Sequence, residues 1–162
     1  MKSNTIKNNK EYLPISRKLK IALAEDDFDD RLLFEEAIEE LPVSVEIFTF
    51  SNGDELMTWL GRKKNTLPDV LFLDLNMPRK NGFATLSEIK RNKILQALPV
   101  IIFSTATNNE MIKQVFKDAA HYYIRKPIHF LELKELIYKS LKIISDNDTT
   151  LPKKENFMLT TD

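Results

Sequence analysis

Val70-Leu71-Phe72-Leu73-Asp74-Leu75-Asn76-Met77-Pro78 is the stretch that decides how this chain folds. Four apolar residues lead to one carboxylate and break at Met77-Pro78, with Pro68-Asp69 as a turn ahead of them. So short an uninterrupted apolar run, bounded by turn residues, fits a central strand of a parallel sheet with both faces covered. Open parallel sheets bind and react at the carboxyl ends of their strands. Asp74 therefore stands where such a fold does its chemistry, although an aspartate there also serves as an ordinary loop or helix cap.

The same pattern repeats on either side. Residues 19–24 form a short apolar run that stops at Glu25-Asp26-Asp27, so a second strand ends in acids. From Asp29 the spacing turns helical, with Leu33, Ala37 and Leu41 expected on the inner stripe until Pro42 stops it. Residues 45–50 read as a strand by their β-branched and aromatic content, followed by Ser51-Asn52-Gly53-Asp54 as turn and cap. Leu56, Met57, Trp59 and Leu60 make a short helix ending near Gly61, and Arg79-Lys80-Asn81-Gly82 turns the chain into another over 83–91. Leu98-Pro99 introduces an apolar strand at 100–103 that ends in Ser104-Thr105. Asn108-Asn109 caps a helix carrying Met111, Ile112, Val115 and Phe116. The last strand, 122–125, ends at Lys126-Pro127, and 129–144 is the final helix, with Leu133, Leu136, Ile137, Leu141 and Ile144 inside.

Five strand–helix alternations are the pattern of a doubly wound α/β domain with a parallel sheet. Right-handed crossovers put every strand's carboxyl end on one rim. Residues 1–16 read as an N-terminal arm, 17–145 as the domain and 146–162 as a tail, for which disorder is expected despite the apolar knot Phe157-Met158-Leu159.

Composition narrows the function. Lys+Arg 24 against Asp+Glu 24 gives a formal net charge of +0, so no bulk charge draws the chain to nucleic acid or an anionic membrane, and neither is expected as a partner. The absence of cysteine removes disulfides and thiolate metal sites, and with no leader-like segment at the start a cytoplasmic location is expected. Three glycines, Gly53, Gly61 and Gly82, cannot write a Walker loop or a G-x-G-x-x-G cradle. A phosphoryl group used here would come from a partner or a small donor.

The rim then collects Glu25, Asp26 and Asp27 from the first strand, Asp74 from the third, Ser104 and Thr105 from the fourth and Lys126 from the fifth. Carboxylates packed together repel, so the cluster makes sense around a cation. Oxygen ligands without His or Cys favour a hard ion, and Mg²⁺ suits best. A metal with an ammonium opposite also neutralises charge on a transferring phosphoryl group.

These residues, Glu25-Asp26, Asp74 in Leu-Asp-Leu-Asn-Met-Pro, Ser104 after Val-Ile-Ile-Phe, and Lys126-Pro127, resemble the receiver domain of two-component response regulators of the chemotaxis-regulator type. The resemblance spans roughly residues 18–144 and implies a flavodoxin-like, CheY-like sheet of five parallel strands in the order 2-1-3-4-5, with helices on both faces. It implies that Asp74 is the phosphoacceptor, that Asp26 ligates Mg²⁺ directly and Glu25 through water, and that Asn76 offers its backbone carbonyl. Lys126 would pair with phosphoryl oxygens, and Lys126-Pro127 would form a cis-proline turn. Asp27 matches no invariant acid and reads as a surface residue near the first helix. Ser104 is preferred to Thr105 as the switch hydroxyl, on the assumption that the third and fourth strands start level. Ala106 takes the next position, and Tyr123 stands where the family keeps a rotating aromatic, with an ordinary strand residue as the plainer reading. Ala119 replaces the family's usual glycine, leaving that loop's conformation open. His121 and His129 are expected at the surface.

On this resemblance the protein is a phosphorelay component rather than an enzyme acting on a separate substrate. Its expected partners are a sensor histidine kinase or a histidine phosphotransfer protein upstream and a protein target downstream, since no output domain follows residue 144. Homodimerisation through the last helix–strand–helix face is left open. Two rivals remain: an aspartyl-phosphate hydrolase of the haloacid dehalogenase type, which expects a second acid where Asn76 stands, and an unphosphorylated docking module.

Overall fold

The computed structural model describes residues 11–64, 66–148 and 150–161, so most of the expected N-terminal arm lies outside the described residues. Five parallel strands form one sheet in the order β2-β1-β3-β4-β5. They are β1 (Ile15–Ala24), β2 (Val43–Phe50), β3 (Val70–Leu73), β4 (Val100–Ser104) and β5 (Tyr122–Arg125). The helices α1 (Phe28–Glu39), α2 (Gly53–Leu60), α3 (Gly82–Arg91), α4 (Asn109–Lys117) and α5 (Phe130–Ser145) alternate with them, and the doubly wound expectation holds.

Alternation along the strands divides the core in two. Leu19, Ile21, Leu23, Phe72, Ile101, Phe103 and Ile124 pack beneath α1 and α5. Ala22, Ala24, Leu71, Leu73, Ile102 and Tyr123 pack beneath α2, α3 and α4. All four residues of β3 are buried, as expected of the central strand.

Four local expectations change. On α1 the buried stripe is Phe34, Ala37 and Ile38, while Leu33 is exposed with Leu32 and Phe28. Placing Phe34 inward fills the space against Phe72 and Phe103, with ring centroids 4.9 and 5.7 Å away. His121 is buried rather than at the surface, because its Nδ1 accepts the Val100 N–H at 3.2 Å across the β4–β5 edge. The peptide bonds are all trans among the described residues, Lys126–Pro127 included, which is the form an Xaa-Pro amide intrinsically favours. Lys126 is instead positioned by the ladder, its N–H donating to the Ser104 carbonyl at 2.9 Å. The tail is docked where disorder was expected, because Phe157 and Leu159 are buried and Met158 pairs with Tyr123 at the β5 edge.

Ala119 adopts φ 65°, so the loop before β5 keeps a left-handed turn although a side chain has replaced hydrogen. The Ala119 N–H donates to Phe116 and the Ala120 N–H to Val115, closing the end of α4. His129 is exposed, at the start of α5.

Candidate functional site

Glu25 follows β1 directly, and its N–H donates to the Phe50 carbonyl at 2.9 Å, holding the acid at the rim. Its carboxylate accepts the Asp27 N–H at 3.1 Å. Asp27 in turn caps α1, accepting the Asp30 N–H at 3.0 Å, so the acid without a family counterpart has a helix-starting role. Asp74 follows β3, its N–H bound to the Ala24 carbonyl at 3.0 Å, which sets the ends of β1 and β3 side by side.

Ligand oxygens of Glu25, Asp26 and Asp74 lie within 4.8 Å of one another, with Asp26 exposed and the other two buried. Lys126 enters from β5. Its Nζ lies 2.6 Å from Glu25 Oε2, 2.9 Å from Asp30 Oδ2 and 3.6 Å from Asp74 Oδ2. Acids from two strands and an ammonium from a third thus meet at one point.

Burial raises the Asp74 carboxyl above its usual range, against the opposing charge of Lys126. Burial likewise pushes Glu25 up to about 7, with the Lys126 hydrogen bond opposing and the Asp74 charge adding to the rise. Burial would depress Lys126, but its bonds to Glu25 and Asp30 and the nearby carboxylate charges outweigh it, pushing the ammonium up to about 12. Two buried acids held above their normal range beside an exposed third are poised to gain from a divalent cation. Their all-oxygen donor set fits a hard ion.

Asp30 is a site residue that sequence reading missed. Among the acids near the start of α1 it resembles ordinary helix N-terminal charge, and only its spacing from Glu25, five residues on, hinted that it could reach back to the rim. Arg31 was missed too. Its Nη1 donates to the Glu25 carbonyl at 2.8 Å and to Ser51 Oγ at 3.1 Å, tying β1's end to the segment after β2.

Ser104 is fully buried at the end of β4 and Thr105 is exposed, which favours the serine as the inward hydroxyl. The reason differs from the expected one, because Leu71 pairs with Val100 and the strands are offset by one residue instead of starting level. Ser104 Oγ accepts the Ala106 N–H at 3.2 Å. Tyr123 is fully buried, and its hydroxyl donates to the Ala106 carbonyl at 2.7 Å. Burial raises its pKa, with a hydrogen bond to Ser104 opposing. Serine, tyrosine and the residue between them in space therefore form one connected group. Asn76 is exposed, and its N–H reaches Asp74 Oδ1 at 3.4 Å.

The family model for the response regulator receiver domain matches residues 21–138. The chain belongs to the response regulator receiver family. Response regulator Rcp1 of Synechocystis sp. is 28% identical over 121 residues, covering 72% of this chain and 82% of that protein. Among solved structures, the phosphorylated cyanobacterial phytochrome response regulator RcpA aligns with a TM-score of 0.73 at 32% identity, over 85% of this chain and 100% of its own. The Mn²⁺-bound form of Rcp1 aligns with a TM-score of 0.71 at 25% identity, over 83% and 99%. This receiver shares their fold, and no helix among its described residues is long and apolar enough to cross a membrane.

Proposed function

We propose that this receiver works as a phosphorelay switch in which Asp74 takes a phosphoryl group from a phosphohistidine, on a sensor kinase or a histidine phosphotransfer protein. The observation that carries this is the convergence of Glu25, Asp26 and Asp74 oxygens within 4.8 Å, with the Lys126 ammonium 3.6 Å from Asp74. Mg²⁺ held by Asp26, Asp74, the Asn76 carbonyl and Glu25 would supply charge neutralisation for the phosphoryl oxygens. An Asp74 oxygen attacks phosphorus, the bond from phosphorus to the donor's imidazole nitrogen breaks, and the imidazole leaves with the electron pair and takes up a proton. Lys126 stands ready to exchange its pairing with Glu25 for the transferred oxygens. Water later attacks phosphorus, releasing phosphate and restoring the carboxylate.

The added charge, about −1.5 to −2, draws the Ser104 hydroxyl inward. Tyr123, tied to Ser104 through Ala106, then shifts, and the face built from α4, β5 and α5 changes its affinity for a protein target. No turnover of a separate substrate belongs to this cycle.

Acetyl phosphate with Mg²⁺, followed by intact mass, tests the reading. The expected result is a gain of one phosphoryl group that decays over time, is abolished by chelator and is absent in Asp74→Asn. Continuous phosphate release from many small phosphate esters would instead mark a hydrolase, and no mass change would mark a docking module.

A further inference from the structure

The edge of β5 is covered by the chain's own tail. Phe157 and Met158 pack on the α4 side of the sheet and Leu159 on the α5 side, so the segment straddles the strand edge. Tyr123 N–H donates to the Phe157 carbonyl and Leu159 N–H to the Tyr123 carbonyl, both at 2.9 Å, in parallel pairing. The Phe157 ring lies 5.1 Å from Phe116 and 6.3 Å from Tyr123, and Lys139 Nζ donates to the Thr160 carbonyl at 2.9 Å.

We infer that this edge is a strand-accepting site for an extended partner segment carrying aromatic-x-aliphatic residues, and that residues 157–159 fill it as a tethered competitor. The inference rests on the reading of α4, β5 and α5 as the output face and names the kind of partner that face takes.

The chemistry follows from what the tail satisfies. An edge strand presents unpaired N–H and C=O groups that only extended backbone can bond in series, and the alternate side chains then choose the occupant. The Phe157 carbonyl, at the end of a short helical turn over Lys154–Asn156, accepts from Tyr123, and the Leu159 N–H, past that turn, donates back to it, a pair that an unbroken helix does not offer. Among the described residues the tail makes its main-chain bonds to β5 at Tyr123 alone. Arg125, two residues on, turns its main chain to the same outer side by strand alternation. A partner strand long enough to reach Arg125 gains bonds that the tail does not make, which gives it the means to displace a tethered rival whose effective concentration is on the order of millimolar. Because the Phe157 ring packs beside the Tyr123 ring, movement of that tyrosine side chain loosens the tail and opens the site.

The test uses the 162-residue chain and a fluorescent peptide with the sequence of residues 153–162. Binding to the wild type and to Phe157→Asp/Leu159→Asp is compared by anisotropy, with acetyl phosphate loading of the variant confirming that it is folded. The peptide is expected to bind the variant at least about tenfold more tightly than the wild type. Equal affinity for both, or no binding to a variant that still loads phosphate, overturns the inference. Hydrogen exchange on the wild type provides a check that needs no variant. The Leu159 amide is expected to be protected in the free chain and to lose protection at saturating peptide; persistent protection, or a wild type that runs as a tail-exchanged dimer, overturns it. Loss of acetyl phosphate loading in the wild type itself would strike the phosphorelay reading and leave the peptide result standing.

Discussion

Gly82 opens α3 directly behind the acceptor carboxylate, and its replacement by alanine gives a sharp forecast. The Gly82 N–H donates to the Leu75 carbonyl at 3.0 Å, which brings the helix start against the loop that carries Asp74. A Cβ at this position would lie 2.2 Å from the Asp74 carbonyl oxygen, 2.7 Å from Leu75 Cα and 2.9 Å from the Asp74 carbonyl carbon. All three are backbone atoms, and the shortest distance falls more than 1 Å below the 3.4 Å at which ordinary contact begins. No side chain can swing aside, so the acceptor loop or the helix must move. Overpacking of this kind costs about 1–3 kcal/mol, and displacing a reacting group by about 1 Å costs roughly a hundredfold in rate. Gly82→Ala is therefore expected to lower the urea midpoint and slow loading from acetyl phosphate about a hundredfold. Gly61→Ala is the control. There the nearest atom is the Met57 carbonyl oxygen at 3.3 Å, and the backbone is already helical at φ −77°. That substitution should shift stability by less than about 1 kcal/mol, the gain through the unfolded chain offsetting the close contact, and leave loading unchanged. Loading by Gly82→Ala within about twofold of wild type, with an unshifted midpoint, would refute the close-approach argument.

Two further expectations concern protons. Glu25 is pushed up to about 7, so below that pH a metal must displace a proton from it. Calorimetric titration should show Mg²⁺ affinity rising about fivefold between roughly pH 6 and 7 and levelling above; a flat profile would contradict the assignment of Glu25 to the metal centre. Lys90 is lowered from 10.5 to about 8 by burial, while its ammonium donates to the Gln96 and Leu98 carbonyls at 3.3 Å. The unfolded chain then binds the proton more readily, so stability should rise with pH between about 8 and 10.5, by about 2 kcal/mol after allowance for its contact with water. Lys90→Met should remove that rise in denaturant melts taken across the window.

Much of the architecture was legible because each strand announces itself by a short apolar run that ends in a functional group. Residues 70–73 and 122–125 were placed to the residue, since all-buried or edge strands bounded by turns leave little choice. The acid trio and Lys126 were legible for the same reason: parallel topology carries strand ends to one rim, whatever the details of packing. What failed depended on partners distant in sequence. Leu33 and Phe34 both lie on plausible stripes of α1, and only the space beside Phe72 and Phe103 selects the phenylalanine. Asp30 looked like helix-start charge until Lys126 arrived from β5. The tail knot had no visible purpose in a polar segment, because the edge that receives it lies more than thirty residues away in the chain, at Tyr123. His121 looked superficial for lack of any local signal that the Val100 N–H would need an acceptor.

Chemical trapping addresses the role of Asp74 most directly. Borohydride reduces an acyl phosphate to a primary alcohol, so protein loaded with acetyl phosphate and Mg²⁺, then reduced and digested, reports the accepting residue by peptide mass. Homoserine at position 74 and nowhere else is the predicted result. Reduction at position 26, or a stable phosphate ester on Ser104 or Thr105 with position 74 unchanged, would contradict it.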